Sequence, residues 1–192
     1  MKPGENLMTL VRATQRLHSE VAALLKTFEK LAGERGYVNA KDRSASNACS
    51  TSIDTPDEWV TPWMYRFLHR KADPDDVVIL NVVLNTGSDW AHYSLDEPLA
   101  ICARFRYSKG KAKANADYWD AGDICFFGAA KKLGTLYDRK SLDLDSKEFL
   151  TASKWQKSAV EAMQGVSFIA VPLAGLTDSK ALERDILKLV LS

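Results

Sequence analysis

The clearest hydrophobic pattern in the chain lies near its N-terminus. Apolar side chains recur there in steps of three and four positions, with Thr14 filling the single gap: Leu7, Leu10, Leu17, Val21, Leu24, Phe28 and Leu31. This is the heptad spacing of a helix that carries one apolar stripe. Proline is absent after Pro3 until well beyond the pattern, and Gly33 and Gly36 end it. The sequence therefore predicts one long helix over residues 6–34.

The predicted helix is long for a chain of this size. A helix of about 26 residues extends roughly 39 Å, which exceeds the diameter expected for a domain of 192 residues. We therefore expect part of its apolar stripe to dock on another molecule, with Leu17, Val21, Leu24 and Phe28 as interface residues. The partner is either a different protein or a second copy of this chain, which would form a homodimer. The alternative is that the helix lies across the chain's own sheet.

A polar segment and an aromatic segment follow the helix. Residues 39–55 are rich in serine, asparagine and alanine, which favours a loop. Thr55 is followed by proline and two acids, the pattern of a helix start. Trp63 and Phe67 continue a series of aromatic residues at four-residue steps, so a helix is predicted here. The alternation of Trp63, Tyr65 and Phe67 is also compatible with a strand.

The rest of the chain alternates strand-like and helix-like patterns. Residues 77–84 and 98–107 are rich in β-branched and apolar residues and predict two strands, and the connection between them is too short for a crossover helix. Further elements are predicted as helices over 146–163 and 178–191, a strand over 166–171 and an edge strand over 134–137. The predicted fold is α+β, with a mostly antiparallel sheet of four to five strands covered by helices.

Length and charge narrow the class of protein. The 192 residues fit a single α+β domain over 1–192, with the sheet and the shorter helices in 56–192. Lys and Arg number 26 against 25 Asp and Glu, so no net charge attracts the chain to DNA or to an anionic membrane. The charges are segregated, however, because 54–98 is acidic and 102–140 is basic. Adjacent strands would allow the two blocks to neutralise each other.

Cysteine usage and the absence of known motifs exclude several classes. Cys49, Cys102 and Cys125 lack the paired spacing of a disulfide framework or a zinc site. The N-terminal residues lack the apolar core of a secretory signal, and no apolar run is long enough to cross a membrane. Phosphate-binding glycine loops and the GxSxG nucleophile motif are missing as well. We expect a cytoplasmic protein without membrane association, bound metal or cofactor.

The densest group of reactive side chains lies between the two best strands. Its catalytic candidates are Asp89, His92, Asp96 and Glu97. The histidine can act as a general base oriented by a neighbouring carboxylate, or join the carboxylates in binding a divalent cation. A hydrolase or a metal-dependent enzyme that uses the loop 88–97 is therefore one alternative, and a solvated hairpin loop is the other.

A basic segment follows in the second strand and the loop after it. Its cationic residues are Arg104, Arg106, Lys109, Lys111 and Lys113, and an aromatic residue, Phe105 or Tyr107, follows each arginine. Such a segment can pair with phosphates while bases stack on the rings, so nucleic-acid binding is a further alternative. In a strand, however, the arginines and the aromatic residues lie on opposite faces.

Two tryptophans in predicted turns favour an interaction protein. Trp90 and Trp119 either fold back on the core or form a recognition surface, since tryptophan is enriched in binding hot spots. Features typical of binding are therefore present, while no complete catalytic set is. We interpret the sequence as a non-enzymatic interaction module that acts through protein–protein contacts.

Overall fold

The computed structural model describes residues 3–39, 46–47, 61, 63–84, 96–112, 133–138 and 161–192. The first element is helix α1 (Pro3–Gly33). The strands are β1 (Tyr37–Asn39), β2 (Ser46–Asn47), β3 (Trp63–Arg70), β4 (Asp73–Val83), β5 (Leu99–Tyr107), β6 (Tyr137–Asp138) and β7 (Met163–Pro172). A 3₁₀ turn (Leu173–Gly175), α2 (Ser179–Leu182), a π-helical turn (Glu183–Leu187) and α3 (Lys188–Val190) follow. The predicted α+β class is confirmed.

The strands form one antiparallel sheet. Its order is β1-β3-β4-β5-β7-β6, and β2 also pairs with β3. Strands β3, β4, β5 and β7 have eight to eleven residues each, whereas β1, β2 and β6 have two or three. The three short strands raise the number of strands above the four to five expected. They pair with the outer long strands β3 and β7 and carry little hydrophobic pattern of their own.

Strand β4 lies in the middle of the sheet and is buried on both faces. Its residues alternate between the face that contacts α1, such as Val78 and Leu80, and the opposite face, such as Ile79. The neighbouring β5 has the same character, with Cys102 on the helix face and Ile101 on the other. The sequence of 77–84, apolar except for Asn81, is typical of such a central position.

Only the C-terminal half of α1 packs on the sheet. Val21, Leu25, Phe28 and Ala32 are buried against the helix face of β3, β4 and β5, where Leu68 is among the contacting residues. These positions follow steps of three and four, so the apolar stripe predicted from the sequence is the surface that joins helix and sheet. The heptad pattern therefore has an intramolecular use over this half of the helix.

The C-terminal helical turns cover the remainder of the same face. The carboxylate of Asp178 accepts a hydrogen bond from the backbone N–H of Ala181 at 2.8 Å and caps α2. Leu182, Ile186 and Leu187 are fully buried against α1 and the sheet. The helix predicted over 178–191 is confirmed, and a π-helical turn lies in its middle.

One predicted helix is corrected, and the predicted end of another is moved; most of that second helix, predicted over 146–163, lies outside the described residues. The aromatic segment that includes Trp63 and Phe67 is strand β3 and not a helix, because eight residues of it pair in register with β4. The alternation of the aromatic residues suits a strand, in which Tyr65 and Phe67 pack edge-to-face with ring centroids 5.2 Å apart. This alternation decides the structure, and the four-residue spacing that suggested a helix does not. Met163, predicted to end a helix, begins β7, and Gly165 lies within that strand.

Candidate interaction surfaces

The N-terminal half of α1 extends beyond the sheet. The described side chains from Glu5 to Arg16 are all exposed. Two leucines of the heptad stripe, Leu7 and Leu10, are 62% and 66% exposed, and Met8 and Val11 beside them are also exposed. At 1.5 Å per residue, residues 3–16 extend about 20 Å. The stripe that packs on the sheet therefore continues into a segment that this chain leaves open to solvent.

The four interface residues predicted from the sequence divide into two pairs. Val21 and Phe28 belong to the core of this chain, with 2% and 0% exposure, so their place is intramolecular and not in an external seam. Leu17 and Leu24 are half-buried. The available part of the stripe thus lies closer to the N-terminus than the sequence analysis placed it. The buried residues occupy the sheet-facing side of α1 because the helix crosses the sheet there.

Leu17 and Leu24 line a groove between α1 and the segment that follows β7. Its volume is about 580 Å³, and Leu173 and Leu176 form part of the opposite wall. Glu97, one of the predicted catalytic residues, lies at its edge. The groove adjoins the exposed stripe at Leu17, so the two features form one continuous surface that is largely apolar.

Two ion pairs hold the buried half of α1 in place. The guanidinium of Arg66 on β3 donates to the Glu29 carboxylate through Nε at 3.0 Å and through Nη2 at 2.6 Å. Arg35, just beyond the helix, donates to Glu183 at 2.8 Å and also to the Leu31 carbonyl. These contacts fix α1 to the sheet and to the C-terminal turns.

A buried ionic cluster lies at one end of the same face. Asp76 is 3% exposed, and its carboxylate accepts two hydrogen bonds from Arg104, at 2.9 and 2.8 Å. The hydroxyl of Tyr37 donates to it at 3.0 Å, and Arg70 lies at 3.5 Å. An acid of the 54–98 block thus meets a base of the 102–140 block on the adjacent strand, as the charge pattern predicted.

The cluster changes the acidity of two of its members. Burial, followed by the nearby charge of Asp76, raises the pKa of Tyr37 from 10.0 to about 12. The hydrogen bonds to Asp76 raise the pKa of Arg104 above its ordinary value. Tyr37 therefore stays neutral and Arg104 stays charged throughout the physiological range.

The basic segment is divided between the two faces of the sheet. Arg104 and Arg106 lie on the helix side, where both line a second groove. Phe105 is fully buried on the opposite face, with its ring centroid 6.2 Å from that of Tyr107. Phe105 is therefore unavailable to stack on a nucleic-acid base, and Tyr107, which stacks on it, is half-buried. Lys109 and Lys111 are exposed.

Several other predicted site residues lie outside the described residues. These are Asp89, Trp90, His92, Lys113 and Trp119. Asp96 and Glu97 are described and are exposed before the start of β5. The predicted catalytic use of the loop 88–97 therefore stays a prediction, as does the recognition role of the two tryptophans.

The sequence analysis missed the residues that organise this end of the sheet. Asp76 is one of the acids of the 54–98 block, yet it is a strand residue with a buried side chain. Gly165 of β7 lies beside the guanidinium of Arg106. The sequence offered one signal: an acid on one strand, beside a strand that carries arginines at alternate positions. Only the pairing register of the two strands shows that the Asp76 side chain reaches Arg104.

Across the described ranges, no group of three His, Cys, Asp or Glu side chains is arranged to hold a metal ion. Among the helices that the structure describes, none is long and apolar enough to cross a membrane.

Comparison with known proteins adds no identification. No protein-family model, curated protein or solved structure matches this chain. Functional inference therefore depends on the surfaces described above.

Proposed function

We propose that this chain is a non-enzymatic interaction module that pairs with a second copy of itself through the N-terminal half of α1. The observation that carries the proposal is the exposed apolar stripe formed by Leu7, Met8, Leu10 and Val11. Large apolar side chains clustered on one surface are typical of protein–protein contacts. The stripe is helical and regular, so a helix with the same spacing is the surface that complements it best.

Charge supports a second copy as the occupant. The positions beside Leu10 on the side away from Met8 carry Asn6 and Ala13, which have no charge. Self-pairing about a two-fold axis places identical surfaces together, so a charged flank would repel itself. The nearest basic residue, Arg12, follows Met8 by four positions and lies beside it, on the side of the stripe away from Leu10. Small Ala13 also permits a close approach of two helices.

The apolar area predicts a weak dimer. The exposed fractions of the four stripe residues amount to about two fully exposed side chains per helix. Burial of a large aliphatic side chain contributes about 1.5–3 kcal/mol, so two helices gain roughly 6–12 kcal/mol. Association costs about 4–15 kcal/mol in lost freedom of motion. Burial of the half-exposed Leu17 and Leu24 adds to the gain, and we expect a dimer that dissociates on dilution.

Light scattering coupled to size-exclusion chromatography tests the proposal. The wild-type chain should change from monomer to dimer as its concentration rises through the micromolar range. The double variant Leu7→Glu/Leu10→Glu should stay monomeric at every concentration, because two buried carboxylates per helix would lack partners. Leucine and glutamate have similar helix propensities, and both sites are exposed, so the variant should keep the fold.

A matched control has the same change of charge on the outer face of the helix. Arg12→Gln/Ser19→Glu also lowers the net charge by two, at positions outside the stripe, and should dimerise like the wild type. A wild-type chain that is monomeric at every accessible concentration would overturn self-association. Dimerisation of the Leu7→Glu/Leu10→Glu variant at wild-type affinity would show that the contact lies elsewhere.

We further propose a cytoplasmic location. Cys102 is a buried free thiol, and sparse cysteines are typical of chains that work in a reducing compartment. Fractionation of cells that produce the protein, with antibody detection, tests this location. Recovery in a membrane or secreted fraction would contradict it.

A further inference from the structure

We infer that the groove lined by Arg104 and Arg106 binds a small molecule through its phosphate group. The groove lies between β5, β6, β7 and the end of the C-terminal helical turns. Its volume of about 420 Å³ lies within the range of small-molecule sites in proteins. It is separate from the exposed stripe of α1 and does not depend on self-association.

Arg104 is oriented before any ligand arrives. Its Nε and Nη2 donate to the buried Asp76 carboxylate, which holds the planar guanidinium in one orientation. Its Nη1 makes no hydrogen bond to any described residue, and the side chain retains 16% exposure. The remaining donors of Arg104 are therefore available at the wall of the groove.

Arg106 supplies an available cation on the same face. It lies two positions along β5 and is exposed, and its side chain forms no ion pair or hydrogen bond with the part of the chain that the structure describes. Its guanidinium lies over Gly165 of β7, where an added Cβ would be 3.0 Å from Nε and 3.1 Å from Nη2. The absence of a side chain at Gly165 thus creates the space that Arg106 occupies.

The groove offers a cationic site to a phosphate group. Arg104, Arg106 and the half-buried Ser167 line it from two adjacent strands. The planar guanidinium of arginine binds phosphate oxygens through two parallel hydrogen bonds. Asp138 and Ser192 also line the groove, and Asp76 pairs with Arg104, so the available positive charge is that of Arg106, whose side chain pairs with no described acid.

A small ligand fits these observations better than a nucleic acid. Phe105, the ring next to both arginines, is buried on the opposite face. The apolar residues Leu136 and Leu189 border the groove and provide contacts for the body of a small molecule. A single phosphate group held by two arginines therefore accounts for the site without base stacking.

Nuclear magnetic resonance titration with inorganic phosphate tests the site. At constant ionic strength in sodium chloride, phosphate should shift the side-chain Nε–H resonance of Arg106 and the amide of Ser167, with a dissociation constant in the millimolar range. Arg106→Gln should weaken binding about tenfold to a hundredfold. Gly165→Ala should also weaken it without a change of charge, because the added Cβ displaces the guanidinium.

Controls separate a built site from general attraction to cations. Arg12→Gln removes an exposed arginine on α1 and should bind phosphate like the wild type. Acetate should bind more weakly than phosphate if the tetrahedral shape matters, and equal binding would reassign the site to carboxylates. Unchanged binding by Arg106→Gln, or shifts spread equally over Lys109 and Arg12, would overturn the proposal. Absence of any phosphate-dependent shift in the wild type would overturn it as well.

Discussion

Replacement of Asp76 by asparagine should destabilise the protein strongly. The carboxylate is 3% exposed and accepts hydrogen bonds from Arg104 at 2.9 and 2.8 Å and from the Tyr37 hydroxyl at 3.0 Å. Asparagine keeps the size of the side chain but removes the charge, so Arg104 is left with an uncompensated charge in a largely buried position. Breaking a buried pair in this way costs about 3–5 kcal/mol.

Urea denaturation followed by circular dichroism measures this loss as a change in the free energy of unfolding. For a domain of this size, each kcal/mol corresponds to about 2–4 °C, so a thermal scan should show a decrease of roughly 6–20 °C. Asp73→Asn, an exposed acid on the same strand, should change stability by less than about 0.5 kcal/mol.

A double-mutant cycle shows whether the cost arises from the unpaired arginine. Asp76→Asn combined with Arg104→Met removes both charges, and the double variant should be more stable than the sum of the single effects predicts, by about 0.5–3 kcal/mol. The reasoning is refuted if Asp76→Asn costs less than about 1 kcal/mol, or if the two substitutions are additive.

Two further predictions concern the same face of the sheet. Burial raises the pKa of Tyr37 to about 12, so the folded state favours the neutral phenol. The stability that this preference contributes should be fully present below about pH 10 and should be lost as the pH rises towards 12. In urea denaturation repeated between about pH 10 and pH 12, the wild type should lose up to about 3 kcal/mol of unfolding free energy through Tyr37, and the Tyr37→Phe variant should not. Phe28→Ala should cost about 3–5 kcal/mol in the same assay because Phe28 is fully buried, and a cost below about 1 kcal/mol would contradict its place in the core.

Elements with a strong hydrophobic period could be predicted from the sequence. The heptad spacing of α1, the apolar run of β4 and the pattern of the C-terminal helical turns each bury a face in the expected way. Burial of apolar side chains dominates the stability of such elements. The period of their apolar residues therefore shows whether the element is a helix or a strand and which of its faces is buried. Strand β3 could not be predicted in this way because its aromatic residues satisfy both periods, and pairing with β4 decides between them.

The polar parts of the structure could not be predicted because they depend on register. Arg104 meets Asp76 only because β4 and β5 pair so that Asp76 lies opposite Arg106 and Val78 lies opposite Arg104. A shift of one residue would place the carboxylate on the opposite face. The sequence also could not show which half of α1 is exposed, because the heptad pattern is the same on both sides of Leu17. The point at which the sheet ends decides which leucines are covered.

The polar contacts along α1 also bear on how its exposed half can bind. Arg66 holds Glu29 from β3, Arg35 holds Glu183 from the C-terminal turns, and Phe28 is fully buried in the core. These contacts fix the buried half to the sheet and to the C-terminal turns, so the direction in which the helix leaves the sheet is set by the core. The exposed stripe is then presented as a preorganised surface. Binding to a preorganised helix loses less conformational entropy than folding a segment on contact. A small apolar surface can therefore support association that the same four residues in an unfolded segment could not.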